Sequence, residues 1–139
     1  MTADDCIFCK IIAGEIPSFK IHEDGETLAF MDINPAQRGH CLVIPKHHAA
    51  NLYEMPDDAL ASVSHSLRRV ATAVNDVVKP DGINIVQANG RGANQSVFHF
   101  HFHVMPRTRG EDMSLDWGHV PGDVEAIGIL GAEIAAAMR

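Results

Sequence analysis

Basic charge is scarce in this 139-residue chain: 11 Lys and Arg stand against 18 Asp and Glu, a formal net charge of −7. That balance argues against nucleic acid and anionic membrane as partners, since both need a basic surface. Long apolar runs are missing too. The most apolar stretch, 126–138, is too short to span a bilayer and contains Glu133. Cysteine is sparse and odd in number, 3 in all, where a secreted disulfide framework is denser and paired. The residues from Met1 to Cys6 show no basic stretch followed by an apolar run, so no secretory leader is expected. Repeats, linkers and low-complexity segments are also missing. The expectation is a cytoplasmic protein with reduced thiols. What the chain does have is histidine, 9 residues of it.

The length suits a single domain, 1–139, with a core over about 6–107 and a tail over 108–139 that holds a helix. The stretch from Cys6 to Gly14 reads as a short helix, broken by Pro17. Alternation in Phe19–His22, the Asp24-Gly25 turn and Leu28–Met31 read as a hairpin, and Cys41–Ile44 as a third strand. Leu60, Val63, Leu67, Val70, Val74 and Val77 form one helical stripe, with Asp57 or Asp58 as its cap. Ile83–Val86 and Val97–Met105 read as strands around a polar loop, 89–96. A last helix spans 123–138, with Ile127, Leu130 and Ile134 on one face. Short connections between early strands favour antiparallel pairing. The fold class is therefore α+β, an antiparallel sheet with helices on one face.

The segment His99-Phe100-His101-Phe102-His103-Val104 carries the chemistry. In an extended strand, His99, His101 and His103 share one face and the apolar residues the other. Such a row has three readings: solvated polar positions, a His-x-His metal site, or nucleophilic catalysis by imidazole on phosphorus. A neutral imidazole attacks while a neighbour protonates the leaving group. The preceding loop, Asn89 to Ser96, is small and polar, a composition that forms anion-binding nests. Cys6-Ile7-Phe8-Cys9 is a redox pair, half of a zinc site, or two buried thiols. Cys41 reads as packing, and His22, His65 and His119 as surface residues.

The run Gln95-Ser96-Val97-Phe98-His99-Phe100-His101-Phe102-His103-Val104 resembles the signature of the histidine triad (HIT) nucleotide-binding hydrolases and transferases. The resemblance extends from Cys6 to about Arg107 and includes Phe30-Met31-Asp32-Ile33 and Gly39-His40-Cys41-Leu42-Val43-Ile44-Pro45-Lys46. It implies that His101 is the nucleophile at an α-phosphorus and that His103 contacts the phosphate or leaving group. His99 and His40 would orient the other two. Asp32 would hold the ribose hydroxyls, and Gln95 and Ser96 the phosphate oxygens. The substrate would be a purine nucleotide conjugate, an AMP or GMP phosphoramidate or similar. Dinucleoside polyphosphate hydrolysis and a non-catalytic nucleotide-binding module are the alternatives. The family fold is a homodimer whose sheets join across the interface. In its zinc-bearing branch, structural zinc would be held at the positions of Cys6, Cys9, His48 and His99. Two departures stand out: Asn94 replaces the usual Gly before Gln95, and Ala88 replaces an amide, leaving Asn89 as the nearby one.

Overall fold

The computed structural model describes residues 3–110 and 121–137. The chain divides into two compact units, 1–109 and 110–139. The first unit holds helix α1 (Ile7–Ile12), strands β1 (Lys20–Glu23), β2 (Thr27–Met31) and β3 (Cys41–Pro45), helix α2 (Asp57–Val78), and strands β4 (Gly82–Val86) and β5 (Phe102–Arg107). The second holds helix α3 (Val124–Ala137), whose first turn is capped by Asp123 accepting from the Ala126 N–H at 3.2 Å. The expected face of that helix, with Trp117 and His119, lies outside the described residues.

The five strands of the described residues pair antiparallel in the order β1-β2-β3-β5-β4, as the short connections between the early strands favour for the first three. Strands β2 and β3 are buried on both faces, because the sheet has a core on each side. On one side Ala29, Cys41, Val43, Phe100 and Val104 pack with Val63, Val70 and Val74 of α2. Each of those valines contributes roughly 1.5–3 kcal/mol by burial. On the other side, Phe8 of α1 packs with Leu28, Phe30, Leu42 and Ile44. The long helix thus covers one face and the short one lies over part of the second.

Helix α2 departs from its sequence reading at both ends. Its N-cap is Pro56, without a side-chain capping bond, so Asp57 and Asp58 are its first helical residues. Their charges sit where the helix dipole favours them. At the other end Val77 is 76% exposed, and Val78 packs on the core instead. The stripe also missed a polar member: Ser66, fully buried, meets Thr27 Oγ1 at 2.7 Å. Asp24 accepts from the Glu26 and Thr27 N–H groups and from Thr27 Oγ1, tying the β1–β2 turn to that pair.

Two local features place the histidines. Gly39 has φ +91°, and a Cβ there would lie 2.9 Å from Val78 Cγ2, so only glycine carries the chain past α2 into His40. The strand expected over 97–105 begins only at Phe102. Phe100 N–H donates to the Ala49 carbonyl at 2.7 Å rather than to the ladder, and 97–101 bends out of the sheet. The strand then continues through Pro106, where β3 pairing has already ended at Cys41↔Val104 and only β4 lies alongside.

Candidate functional site

The bend divides the three histidines between two clusters. His99, fully buried, donates from Nε2 to the Pro45 carbonyl at 2.8 Å. A carbonyl only accepts, so the proton is on Nε2 and the lone pair is on Nδ1. That Nδ1 lies 3.4 Å from Cys6 Sγ, 3.6 Å from Cys9 Sγ and 3.2 Å from His48 Nδ1. Cys9 Sγ is 3.3 Å from His48 Nδ1. Four ligands around one tetrahedral zinc stand roughly 3.3–3.8 Å apart, given the usual Zn–S and Zn–N bond lengths. The donor set fits a metal ion in spacing, ligand type and tautomer, and the Pro45 carbonyl is the outer partner such a histidine needs. Helix α1 supplies the thiols: Cys6 is its N-cap and accepts the Cys9 N–H at 3.4 Å. Burial and the Cys6 thiol push Cys9 up to about 11, and burial takes His99 down to about 4. A bound cation would favour the thiolates instead.

His101 and His103 join His40 and Asp32 in lining a cavity of about 470 Å³. His101 is 4% exposed and donates from Nδ1 to the His99 carbonyl at 2.7 Å, which leaves the lone pair of the neutral ring on Nε2. Burial holds its pKa below the ordinary value, opposed by the His99 carbonyl and the charge of Asp32. Its ring centroid is 4.9 Å from that of His103. The backbone N–H of Ala36 donates to His40 Nδ1 at 2.9 Å, so His40 carries its proton on Nε2. That proton is shared with His103 Nδ1 at 2.9 Å, with Asp32 Oδ2 at 3.4 Å beside it. His103 in turn carries its proton on Nε2. Burial lowers His40 against the pull of Asp32, and takes His103 down to about 4 with help from the neighbouring His101 and His40.

Among the described residues, Asp32, His40 and His103 form a second group close enough to hold a metal. The proton pattern opposes it. Ala36 already occupies the His40 lone pair, and the ligand atom facing the group bears hydrogen. One cluster presents ligand atoms that could hold a metal ion, and the other shares a proton.

The loop residues divide in the same way. Ser96 lines the cavity with His101 and His103. Gln95 was expected to reach phosphate, yet its side chain is 3% exposed and spent on backbone. Its Oε1 accepts the Gly90 N–H at 2.8 Å, and its Nε2 donates to the Ala50 and Val97 carbonyls. Asn89 pairs amide to amide with Gln87 and accepts the Leu52 N–H at 2.8 Å. Asn94 sits at φ 66°, the conformation that suits the Gly usual there. The sequence reading passed over Phe8, Ile11 and Ile16, which give the cavity an apolar lining. Their signal was only a helix and a Pro break. The Arg107 side chain donates to Asn84 Oδ1 at 2.8 Å, and the Arg109 backbone N–H to Asp81 Oδ2 at 2.7 Å.

The HIT domain family matches residues 13–110. Among curated relatives, the adenosine 5'-monophosphoramidase hnt1 of Schizosaccharomyces pombe is 41% identical over 135 residues, covering 96% of this chain and 98% of that one. A solved HIT family protein from Bacillus subtilis superposes with a TM-score of 0.90 at 40% identity, covering 97% of this chain and 98% of its own. A Zn-bound histidine triad family protein from Mycobacterium smegmatis does so with a TM-score of 0.75 at 36% identity, covering 99% and 100%.

Proposed function

The chain belongs to the HIT family, and from that premise we propose that it hydrolyses purine nucleoside 5′-phosphoramidates through a covalent nucleotidyl-His101. One observation carries the reading: His101, proton on Nδ1 and lone pair on Nε2, lines the cavity beside a His103 whose proton sits on Nε2. The name of the fission yeast relative supports the substrate class.

The steps follow from the proton positions. His101 Nε2 attacks the α-phosphorus, forming the N–P bond as the bond to the leaving amine breaks. The His99 carbonyl steadies the imidazolium that results. A proton taken up with the anionic substrate makes His103 an imidazolium while the His40 Nε2–H turns to Asp32 Oδ2, 3.4 Å away, and His103 then gives its Nε2 proton to the departing amine and is left neutral. Water then attacks phosphorus, its proton returns to the dyad, and nucleoside monophosphate leaves with the His101 lone pair restored. Asp32 holds the ribose hydroxyls, Ser96 a phosphate oxygen, and the apolar lining the base. Gln95 and Asn89 act by holding the loop that presents Ser96.

Cys6, Cys9, His48 and His99 would hold zinc, whose chemistry there would be structural, tying α1 to the chain at 48 and 99. The protein works as a homodimer joined at β4, which has a sheet neighbour on one side only and carries Ile85 at 42% exposure. Sizing with light scattering tests that, and a monomer at working concentration sinks it.

Intact-protein mass spectrometry tests the chemistry. The native protein and His101→Ala are mixed with an adenosine phosphoramidate and quenched early and late. A transient gain of one AMP, missing in the variant, is the expected result. Product without any adduct points to direct attack by water. Neither adduct nor product, with several leaving groups, favours a nucleotide-binding module.

A further inference from the structure

We propose that Phe8 is a positioning residue for His101, carrying the state of the Cys6/Cys9 thiols to the reacting imidazole. This rests on His101 being the nucleophile.

Phe8 stands between the two thiols in sequence, inside the first turn of α1. Cys6 caps that turn and receives the Cys9 N–H, so whatever holds the thiols holds the backbone of Phe8. The ring of Phe8 then meets three others. It stands at 89° to His101 with centroids 5.2 Å apart, at 72° to His99 at 5.8 Å, and at 75° to Phe30 at 5.6 Å. Edge-to-face contacts of this kind favour one relative orientation of the rings. With the ring 6% exposed and confined by α1, β2 and the 99–101 bend, its place is fixed.

The consequence falls on His101. Its bond to the His99 carbonyl fixes Nδ1, but a ring held by one atom can still tilt. A near-perpendicular neighbour fixes the ring plane and so the direction of the Nε2 lone pair. A nucleophile misdirected by about 1 Å loses on the order of a hundredfold in rate. The thiol cluster therefore reaches His101 twice, through the His99 carbonyl and through the Phe8 ring.

Ile11 supplies the comparison. It lies on the same helix and lines the same cavity, and no ring joins it to His101. Zinc-loaded wild type, Phe8→Leu and Ile11→Ala are compared by steady-state kinetics on an adenosine phosphoramidate and by imidazole ¹H–¹⁵N spectra, with zinc content checked in each. Phe8→Leu is expected to lower kcat roughly ten- to a hundredfold with KM within about threefold, and to move the His101 Nδ1–H signal. Ile11→Ala is expected to raise KM and leave that signal in place. If Phe8→Leu raises KM, keeps kcat and leaves the signal unmoved, Phe8 is only a wall and the proposal falls. A second arm needs no variant: cadmium, with longer bonds to sulfur, replaces zinc in the wild type. Movement of both the Phe8 ring and His101 Nδ1–H signals supports transmission, and an unmoved His101 overturns it. Should the wild type turn over no phosphoramidate, the assigned function fails, and the spectra alone still decide the role of Phe8.

Discussion

His101 gives its Nδ1 proton to the main chain of His99 across 2.7 Å, while the His99 side chain turns away to the thiols of Cys6 and Cys9. The cavity cluster and the thiol cluster thus share one residue, each using a different part of it. This separates what the two imidazoles do and lets each be tested alone.

Removing the two cavity imidazoles should give different signatures. His101→Ala should reduce turnover by at least about a thousandfold for every leaving group. His103→Gln should cost roughly a hundredfold or more on a basic amine and much less on an acidic leaving group, which departs without a proton. A series of phosphoramidates of graded leaving-group pKa measures this. Equal losses across the series would contradict the proton-donor role.

Withdrawal of metal should act on stability before chemistry. Cys9→Ser should bind less than one equivalent of zinc and melt on the order of 10 °C lower, several kcal/mol for a domain this size. Thermal melts with metal analysis follow both quantities. Loss of turnover at a temperature where the variant is fully folded, with the His101 signal unmoved, would show a direct chemical role for the metal.

Acid should destabilise the protein through its buried neutral imidazoles. Burial holds His40 below its ordinary value and takes His103 to about 4. The unfolded chain, with histidine near about 6.5, binds those protons first. Their contribution is complete above about pH 6.5 and is lost as the pH falls toward 4. Asp24 acts lower still: its turn bonds depress its pKa, so its contribution fades only below about pH 4. Denaturant midpoints against pH should fall in those two windows, and His103→Gln should flatten the upper one.

Gln95→Ala should harm the fold as well as the reaction. The truncation strands the Gly90 N–H and the Ala50 and Val97 carbonyls. Groups as partly buried as these cost up to about 1–3 kcal/mol each where water does not replace the lost partner. A loss of roughly 2–4 kcal/mol in urea unfolding is expected. A residue used only to touch phosphate would leave the urea midpoint where it was.

Short apolar runs bounded by turn residues and the period-3.6 stripe carried most of the fold, because β2, β3 and α2 obey neighbours within their own segment. The site was less legible. Alternation assigns His99 and His101 to one face of a strand, yet Ala49 and Pro45, some fifty residues earlier, pull 99–101 out of the sheet. The fate of Gln95 depends on Ala50 in the same way. Asp57 reads as a cap because nothing local says that Pro56 will take the place. Cys6, Cys9, His48 and His99 were brought together by resemblance, since spacings of 39 and 51 residues carry no periodic signal.

The bend at 97–101 also makes the spacing of the signature a ruler. One residue separates the imidazole anchored at Pro45 from the imidazole anchored on the His99 carbonyl. An insertion between them would swing the second ring out of the cavity while leaving the first in place. A relative without the two thiols must fill the same socket around the first histidine with other side chains. The neighbours of that histidine, more than the triad itself, are where lineages of this fold should differ.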